Sequence, residues 1–384
     1  MATSDDGRIG AKSGPFANGF SLAKLLLEGR AFFALIVIII VFTLLSPDYF
    51  TLNNLLTMAS HVSIYALLAI GQLLVVLNGG IDLSVGSTLG LAGVVAGFLM
   101  KGVDFKALGF TLFPAVWVVA VVAVAVGALI GLVNGVLVSR LKVAPFIATL
   151  GMLYAVRGAA LLITNGLTYN NLAGKPELGN TGFDWLGFNS LLDIPIGVIV
   201  MVVVALIGSI VLNRTVFGRW LYASGGNERA AELSGVPVKR VKVWVYVASG
   251  VCAAIAGLIL SSELTSASPT AGSSYELTAI AAVVIGGAAL TGGRGNVRGT
   301  LLGAFVIGFL SDGLVIVGVS SYWQTVFTGA VIVFAVLLNA VQYRGRRKKQ
   351  SSGTPPTAST GTEPPPSTPL EKVPGKVPAD KTAG

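Results

Sequence analysis

Long apolar runs dominate this chain and restrict the kinds of structure that it can adopt. A helix that crosses a membrane needs about 20 mostly apolar residues, and in lipid it must satisfy its backbone polar groups internally. The runs predict an all-α integral membrane protein with about ten transmembrane helices, at roughly 31–46, 59–78, 84–100, 112–138, 145–164, 194–213, 243–261, 277–291, 298–317 and 323–342. Only Gly79-Gly80 separates the second run from the third, and the eighth run is short and rich in glycine.

The composition supports the membrane assignment. Hydrophobic residues make up 54% of the chain and charged residues only 11%, with a mean hydropathy of +0.81. A soluble domain is about a quarter charged. The net charge of +9 comes from Lys and Arg at the ends of apolar runs, where membrane topology explains them, so nucleic-acid binding is not predicted. Cys252 lies inside an apolar run, as a small packing residue would.

The distribution of charge predicts that both termini are cytoplasmic. With ten crossings, the basic residues Arg140, Lys142, Arg294 and Arg298 fall on the same side as the basic cluster at 344–349 and the polar loop 214–242. The loop 165–193 falls outside with one Lys and three acids, and only Lys101 and Lys106 violate the positive-inside rule.

The segments before and after the apolar runs differ from them in composition. Residues 1–29 are polar and show no cleavable signal, so we expect a cytoplasmic N-terminal leader before a transmembrane domain at 30–343. A basic stretch and then a Pro/Ser/Thr-rich tail occupy 344–384, and half of the chain's 16 prolines lie in the tail. Such a segment cannot bury a core, and we expect it to be disordered in the cytoplasm.

The loop 214–242 is a long polar stretch between apolar runs, and it carries six basic residues. Asn227 is a favourable N-cap, and Gly235 followed by Pro237 is a stop signal, so a short helix is predicted between them. A capped helix on a cytoplasmic loop predicts that another protein docks there. The alternative is a surface helix shaped only by solvation.

Motifs for catalysis are missing from the sequence. It contains no G-x-x-x-x-G-K-S/T phosphate loop and no dinucleotide-binding fingerprint. His61 is the only histidine and has no carboxylate near it in sequence, which favours a packing or interfacial role. We therefore expect neither an enzyme nor a bound metal or cofactor.

Five ionisable residues lie within or beside the apolar runs, where such groups are costly and face a pathway or a partner by default. They are Asp82, Arg157, Glu263, Glu276 and Asp312. In the segment NGGIDLSVGS, a helix cap made by Asp82 or Ser84 is favoured over a broken helix that offers its carboxylate to a solute. Arg157 can snorkel outward or pair with an acid. Tyr275, Tyr322 and Trp323 suit an interfacial belt, or else sugar stacking.

Glycines recur four residues apart in two of the runs, at Gly127, Gly131 and Gly135 and again at Gly299 and Gly303. Small residues at this spacing let helix backbones approach closely in lipid. We expect packing within the subunit, with a dimer face as the alternative.

Four segments together resemble the permease subunits of ABC-type sugar importers, in the ribose, xylose, arabinose and galactose branch and closest to ribose. They are NGGIDLSVGS (78–87), PFIATLGMLYAVRG (145–158), TVFGRWLYASGGNERAAELSGV (215–236) and SPTAGSSYELTAIAAVVIGGAALTGGRGNVRGTLLGA (268–304). The resemblance implies a vitamin-B12-uptake-like (type II) permease of the bacterial cytoplasmic (inner) membrane, as a homodimer or paired with a similar permease. It also implies ATPase subunits on the cytoplasmic side and a periplasmic or lipid-anchored sugar-binding protein on the other.

The resemblance also assigns roles to particular residues. The pattern E-x-A-A-x-x-x-G of the ATPase-coupling helix matches 228–235, so that helix would comprise Asn227, Glu228, Arg229, Ala230, Ala231 and Gly235, with Glu228 and Arg229 pairing across the interface. The candidate pathway residues are Asn78, Asp82, Ser84, Arg157, Tyr275, Glu276 and Asp312. Thr278 stands where an Asp is usual and Ala288-Ala289 where Thr-Ser is usual, which leaves the exact sugar open.

The hypothesis at this point is an ATP-driven importer subunit that passes a monosaccharide such as ribose and takes its energy from a separate ATPase. One alternative is an ABC permease for a nucleoside, an autoinducer or a branched-chain amino acid. Another is a secondary transporter or channel that needs no ATPase. A membrane-bound enzyme is the most distant alternative.

Overall fold

The computed structural model describes residues 30–105 and 109–331, together with residues 333 and 337. Within that part of the chain almost all regular structure is helical. The helices are α1 (Arg30–Leu45), α2 (Leu52–Leu77), α3 (Val85–Lys101), α4 (Val116–Ser139), α5 (Pro145–Thr164), α6 (Trp185–Phe188), α7 (Ile196–Arg214), α8 (Val216–Gly226), α9 (Glu228–Leu233), α10 (Val238–Glu263), α11 (Tyr275–Ile285) and α12 (Val297–Ile316), followed by a helical stretch at 321–331.

Each of the ten predicted runs contains a helix. Six helices, namely α2, α4, α5, α7, α10 and α12, are long and apolar enough to cross a membrane, and α1, α3 and α11 are shorter apolar helices. The predicted boundaries differ most from the structure in the second and eighth runs. The second run begins at Leu52 instead of 59, because its polar first turns hide a continuous helix. The eighth ends at Ile285 instead of 291, because Gly286-Gly287 turns the chain, with Gly287 at φ +92°.

The short helix α11 matters for how the chain crosses a membrane. At a rise of about 1.5 Å per residue it covers about 16 Å, roughly half of a hydrocarbon core of about 30 Å. The helix starts beside the first turns of α3, because a Cβ on Gly86 would lie against Gly272 and Glu276. The number of crossings therefore stays a prediction.

Two 26-residue helices, α2 and α10, form the centre of the fold. From Ser60 to Leu77 every residue of α2 is buried except His61 and Tyr65. The helix α10 packs against α2, α3 and α4, while α11 and α12 cover another side of α2. Cys252 is buried in α10 against Gly71, in the packing role that was predicted for it.

The glycine repeats pack helices within this subunit, as predicted. A Cβ on Gly127, Gly131 or Gly135 of α4 would collide with the backbone of α10. Gly299 and Gly303 of α12 meet the carbonyls of Gly286 and Ala282, at the end of α11, in the same way. Close backbone contacts of this kind hold helices together in lipid. Burial of apolar side chains gives no driving force there, because the lipid tails are themselves apolar.

Short strands and loop contacts show which connections share an end of the helices. The strand β3 (Tyr169–Asn170) pairs with β6 (Ser266–Ala267), which joins the loop after α5 to the loop after α10. At the opposite end of α10, Gly293 N donates to Leu77 O at 2.9 Å, so the loops 78–84 and 286–296 meet there. Two hairpins, β1 (Val103–Phe105) with β2 (Phe110–Leu112) and β4 (Ser190–Leu191) with β5 (Ile194–Pro195), complete the strands of the described residues.

Some predictions fall on parts of the chain that the structure does not describe. The leader at 1–29, the tail at 344–384 and Lys106 all lie outside the described residues.

Candidate functional site

The predicted helix in the polar loop is present as α9, and its predicted ends are confirmed. The Asn227 side-chain Oδ1 accepts a hydrogen bond of 3.0 Å from Ala230 N, which caps the first turn. Gly235 has φ +82°, and the next amide, Val236 N, donates to Ala231 O at 3.0 Å. A residue with a side chain would be strained at that φ, so glycine ends the helix sharply.

One side of α9 faces outward and is mixed in character. Ala231 is buried against the body of the protein, whereas Ala230 is exposed and 75% of Leu233 is exposed. A small residue and a leucine that are both open at a polar surface form a face suited to a shallow groove on another protein. No described segment of the chain covers Leu233.

The charges of α9 have partners within the chain. Lys242 Nζ donates to Glu228 Oε1 at 2.7 Å and thereby ties α9 to α10, while Arg229 lies 3.2 Å from Glu232. The sequence predicted that Glu228 and Arg229 pair across an interface. Here both make internal pairs, in which Glu228, Arg229 and Glu232 are more than half exposed and Lys242 is only 17% exposed. Ion pairs accessible to solvent contribute about 0–1 kcal/mol. A docking protein can therefore exchange these pairs at little cost.

The preceding helix α8, which the sequence did not predict, connects α9 to the ends of the central helices. Tyr222 Oη donates to Gly295 O at 2.8 Å, and burial raises the pKa of this phenol, so it remains a donor. Asn78, a predicted pathway residue, donates to Ser224 Oγ at 2.8 Å. The backbone of Gly225 lies against Leu77 O and Gly293 N. Movement of α8 and α9 would thus reach the end of α2 directly.

The break between α2 and α3 is held by a buried carboxylate. Asp82 is 2% exposed, and its two oxygens accept from Ser84 N at 2.9 Å, Ser84 Oγ at 2.7 Å and Ser249 Oγ at 2.9 Å. Asn134 Nδ2 then donates to Ser84 Oγ at 2.8 Å. Asp82 therefore holds the amide of Ser84 just before α3 and ties it to α10, whereas the Ser84 side chain does not cap α3 and instead bonds to Asn134 of α4. Neither Asp82 nor Ser84 lies on an open surface of this structure.

Arg157 and Glu276 lie on the glycine face of α3. Arg157 Nη1 donates to Pro269 O at 2.6 Å and Ala271 O at 2.7 Å, so it braces the loop that leads into α11. A Cβ on Gly90 would lie 2.9 Å from that nitrogen, and one on Gly86 would lie 2.5 Å from Glu276 Oε2. These small residues make room for the two charged groups.

A second polar cluster, here called the outer cluster, lies at the far end of α10 from α9. It comprises His61 and Tyr65 of α2, Glu263 of α10, Tyr275 of α11 and Asp312 of α12. His61 Nδ1 lies 3.2 Å from Asp312 Oδ2, and its Nε2 lies 3.9 Å from Glu263 Oε1. The rings of Tyr65 and Tyr275 meet edge to face with centroids 5.0 Å apart.

The sequence favoured a packing or interfacial role for His61 and did not reveal its two carboxylate neighbours. His61 has no carboxylate nearby along the chain, but folding brings in one from 251 positions away and another from the end of α10. Of the predicted pathway residues, the structure gathers Tyr275 and Asp312 in the outer cluster and places Arg157 beside Glu276. Asn78, Asp82 and Ser84 lie elsewhere, towards α8 and in the core.

Comparisons with known proteins give the class of protein. Residues 54–336 match the family described as "Branched-chain amino acid transport system / permease component". The ribose import permease protein RbsC of Escherichia coli (strain K12) is 44% identical over 314 residues, which cover 82% of this chain and 94% of that protein.

Further relatives agree with this assignment. RbsC of Bacillus subtilis (strain 168) is 45% identical over 313 residues, or 80% of this chain and 91% of that protein. The galactose/methyl galactoside import permease protein MglC of E. coli K12 is 35% identical over 341 residues, or 86% and 99%. No solved structure matches the chain significantly.

The chain belongs to this permease family. It is a multi-pass protein of the bacterial cytoplasmic membrane and the permease subunit of an ABC importer, not an enzyme. ATP hydrolysis belongs to a separate subunit of such importers. Among the described residues of the permease, no group of three His, Cys, Asp or Glu side chains is arranged to hold a metal ion.

Several residues of the permease that matter to these sites were not singled out from the sequence. Lys242 holds Glu228, Ser249 and Asn134 hold the Asp82 network, and Tyr65 packs on Tyr275. Each of these contacts joins different helices. No local sequence pattern predicts these contacts. The one available signal is that an ionisable residue in an apolar run usually has a partner elsewhere in the fold.

Proposed function

We propose that this permease forms the ATP-driven import pathway for ribose or a similar monosaccharide. It acts with ATPase subunits on the cytoplasmic side and with a substrate-binding protein on the other, as a homodimer or paired with a similar permease. Its membrane domain makes ten crossings with both termini in the cytoplasm, in the vitamin-B12-uptake-like (type II) arrangement. The observation that carries the proposal is the 44% identity to a ribose import permease over 94% of that protein's length.

Loop contacts support this topology. The pairing of β3 with β6 puts the acidic loop after α5 and the loop after α10 at one end of the helices. The basic loop that contains α8 and α9 meets 286–296 and the end of α2 at the other end. Alternating crossings place these two groups of loops on opposite sides, with the basic group in the cytoplasm as the positive-inside rule requires.

The helix α9 is proposed to couple the permease to its ATPase. It combines a firm N-cap at Asn227, a sharp end at Gly235 and the exposed face formed by Ala230 and Leu233. A short rigid helix of this kind acts as a lever when a groove on the partner closes around it. Glu228 and Arg229 would exchange their internal pairs for contacts with the ATPase.

The helix α10 is proposed to carry this movement across the membrane. It is tied to α9 by Lys242, to the α2–α3 break by Ser249 and to the outer cluster by Glu263. From Lys242 to Glu263 the helix rises about 30 Å, close to the thickness of a hydrocarbon core. Two alternating states of such an element would expose the pathway first to one side and then to the other.

The test is transport by the purified permease reconstituted in vesicles with its own ATPase and binding protein. We expect ribose uptake that requires ATP and all three components and that vanadate abolishes. Excess unlabelled leucine should not compete, which separates a sugar from the amino acids in the family description. Uptake by the permease alone, driven by a gradient and unaffected by vanadate, would contradict the proposal.

A further inference from the structure

The outer cluster contains more ionisable groups than a structural ion pair needs. His61, Glu263 and Asp312 come from three helices and meet within 4 Å of the imidazole. Charged groups at membrane depth are costly, and those that occur face one another or a water-filled path. A single acid would be enough to neutralise one histidine. Two acids around one imidazole leave the site with surplus capacity to accept hydrogen bonds.

The outer cluster is also open to solvent, unlike the Asp82 network. The His61 side chain is 45% exposed, and the side chains of Glu263 and Asp312 keep 19% and 17% of their exposure. Along the buried length of α2, only His61 and Tyr65 are partly open. The buried length of the central helix is therefore accessible at this one level.

Unused acceptor positions remain on the carboxylates. The His61–Asp312 contact is long, at 3.2 and 3.3 Å, and the His61–Glu263 contact exceeds a hydrogen bond at 3.9 Å. A carboxylate has about four acceptor positions. These contacts, together with the hydrogen bond that the Ser60 side chain makes to Glu263, occupy only part of them. Polyhydroxy compounds supply the donors that such a surface lacks.

Two aromatic rings complete the chemistry of the site. Tyr65 and Tyr275 meet edge to face beside the charged groups, and Ser273 and Ser274 at the start of α11 are exposed. An aromatic face next to fixed hydrogen-bonding groups is typical of pockets that bind small polar molecules with an apolar side. A monosaccharide has one face of C–H groups and a rim of hydroxyls.

We propose that the outer cluster is a contact site for the sugar in transit, where Asp312 and Glu263 accept hydrogen bonds from its hydroxyls and His61 orients Asp312. Tyr65 and Tyr275 receive the C–H face of the sugar ring. This inference rests on the proposed function, since it requires a monosaccharide as the solute. It adds His61, Glu263 and Tyr65 to the pathway and makes the permease itself a participant in selecting the sugar.

The chain offers a clean test by thiol labelling, because its only cysteine, Cys252, is 7% exposed. His61→Cys would be made in the permease, reconstituted with its ATPase and binding protein, and treated with a membrane-impermeant maleimide. We expect labelling that saturating ribose slows about tenfold, because a bound sugar covers the site. Leu192→Cys, at an 87% exposed position beyond α6, should react equally with and without ribose, and Val62→Cys, fully buried, should not react.

A second variant keeps the test valid if the cysteine itself disturbs the site. Asp312→Asn preserves shape but replaces one acceptor oxygen with a donor, so ribose uptake should fall about tenfold for one charge-assisted hydrogen bond. ATP hydrolysis by the assembled complex without sugar should be unchanged. Asp193→Asn, in an exposed loop, is the matched control and should leave uptake unchanged.

The outcomes separate this inference from the proposed function. If the wild-type complex does not import ribose, the proposed function fails. If it does, but ribose leaves the labelling of His61→Cys unchanged, the contact site is refuted. Normal uptake by Asp312→Asn, or loss of uptake together with basal ATP hydrolysis, would also refute it, since the cluster would then be dispensable or purely structural.

Discussion

The two ends of α10 hold ionic contacts of very different kinds. At the end near α9, Lys242, with a side chain that is 17% exposed, pairs with Glu228, which is 57% exposed, so that the acid of the pair is accessible to solvent and to a docking protein. At the other end, Glu263 faces His61 and Asp312, and here both carboxylates are less than 20% exposed while the His61 side chain is 45% exposed. The same helix therefore carries a pair whose acid is accessible to a partner protein and a cluster in which the two acids are mostly covered and the histidine is accessible.

This difference indicates that the two ends of α10 serve different functions. Solvent screens the exposed Glu228 carboxylate, so its contact with Lys242 can be rearranged at low cost in every cycle. Partly buried charges interact more strongly because the surrounding dielectric is lower. The outer end can therefore discriminate between solutes, while between the two ends Ser249 fastens α10 to Asp82.

The largest effect is expected from destroying the end near α9. The double variant Glu228→Ala, Gly235→Val removes the tie to Lys242 and puts a β-branched residue at φ +82°, where it is strongly disfavoured. ATP-driven uptake should be abolished while the permease remains in the membrane. The control Glu177→Ala, Gly179→Val makes the same changes in the loop after α5, at φ +67°, and should keep normal uptake. Normal uptake by the first variant would remove α9 from the mechanism.

Removal of the contact between Asp82 and Ser249, which lies between the two ends of α10, should have the next largest effect. This effect is on stability. Asp82→Ala leaves Ser249 and the amide of Ser84 without their acceptor in the core. We expect the free energy of unfolding to fall by about 3 kcal/mol, because buried donors that lose a charged acceptor are costly. Thermal unfolding in detergent measures this, with Asp48→Ala, at an exposed position without a positive φ, as the control. An equal, small shift in both variants would show that Asp82 does not fasten α10.

A substitution that pushes α4 away from α10 tests whether these two helices must pack closely. A Cβ on Gly131 would collide with the backbone at Tyr246, so Gly131→Ala should destabilise by about 2 kcal/mol through overpacking. Gly151 of α5 has nothing within 4 Å of that position, so Gly151→Ala should instead stabilise by about 0.5 kcal/mol. Opposite signs in thermal unfolding are expected. The same sign for both would contradict the packing described here.

The smallest effect is expected from removing the ion pair between Lys242 and Glu228 alone. Lys242→Ala should lower the free energy of unfolding by about 0.5 kcal/mol, and 1 M salt should remove most of the difference from wild type. Ribose uptake should change far less than in Asp312→Asn. An equal loss of uptake in the two variants would erase the contrast between the ends of α10.

Local signals explain why one end of α10 was predictable and the other was not. Asn227, Gly235 and Pro237 lie within eleven residues and act on the same short helix, so capping rules place α9 correctly from sequence. His61 and Asp312 lie 251 residues apart, and their meeting depends on how α2 and α12 pack. The apolar runs located the long helices well. They missed α8, because its pattern is interrupted by polar and basic residues.

Buried polar contacts were predictable only in part. The segment NGGIDLSVGS indicated a helix break capped by Asp82 or Ser84, and the amide of Ser84 does donate to Asp82. Its tie to Ser249 could not be foreseen, because a serine in an apolar run looks like any other small residue. The glycine spacing of α4 indicated close packing correctly, yet it did not identify α10 as the partner.

The most direct test asks whether the two ends of α10 communicate. In the assembled transporter, the maleimide reaction of His61→Cys would be timed with and without ATP, alone and combined with the variant Glu228→Ala, Gly235→Val. We expect ATP to change the labelling rate at the outer cluster, and we expect the added variant to abolish this change. Leu192→Cys should react at the same rate under all these conditions. A labelling rate that ignores ATP, or that responds equally with α9 disabled, would contradict this communication.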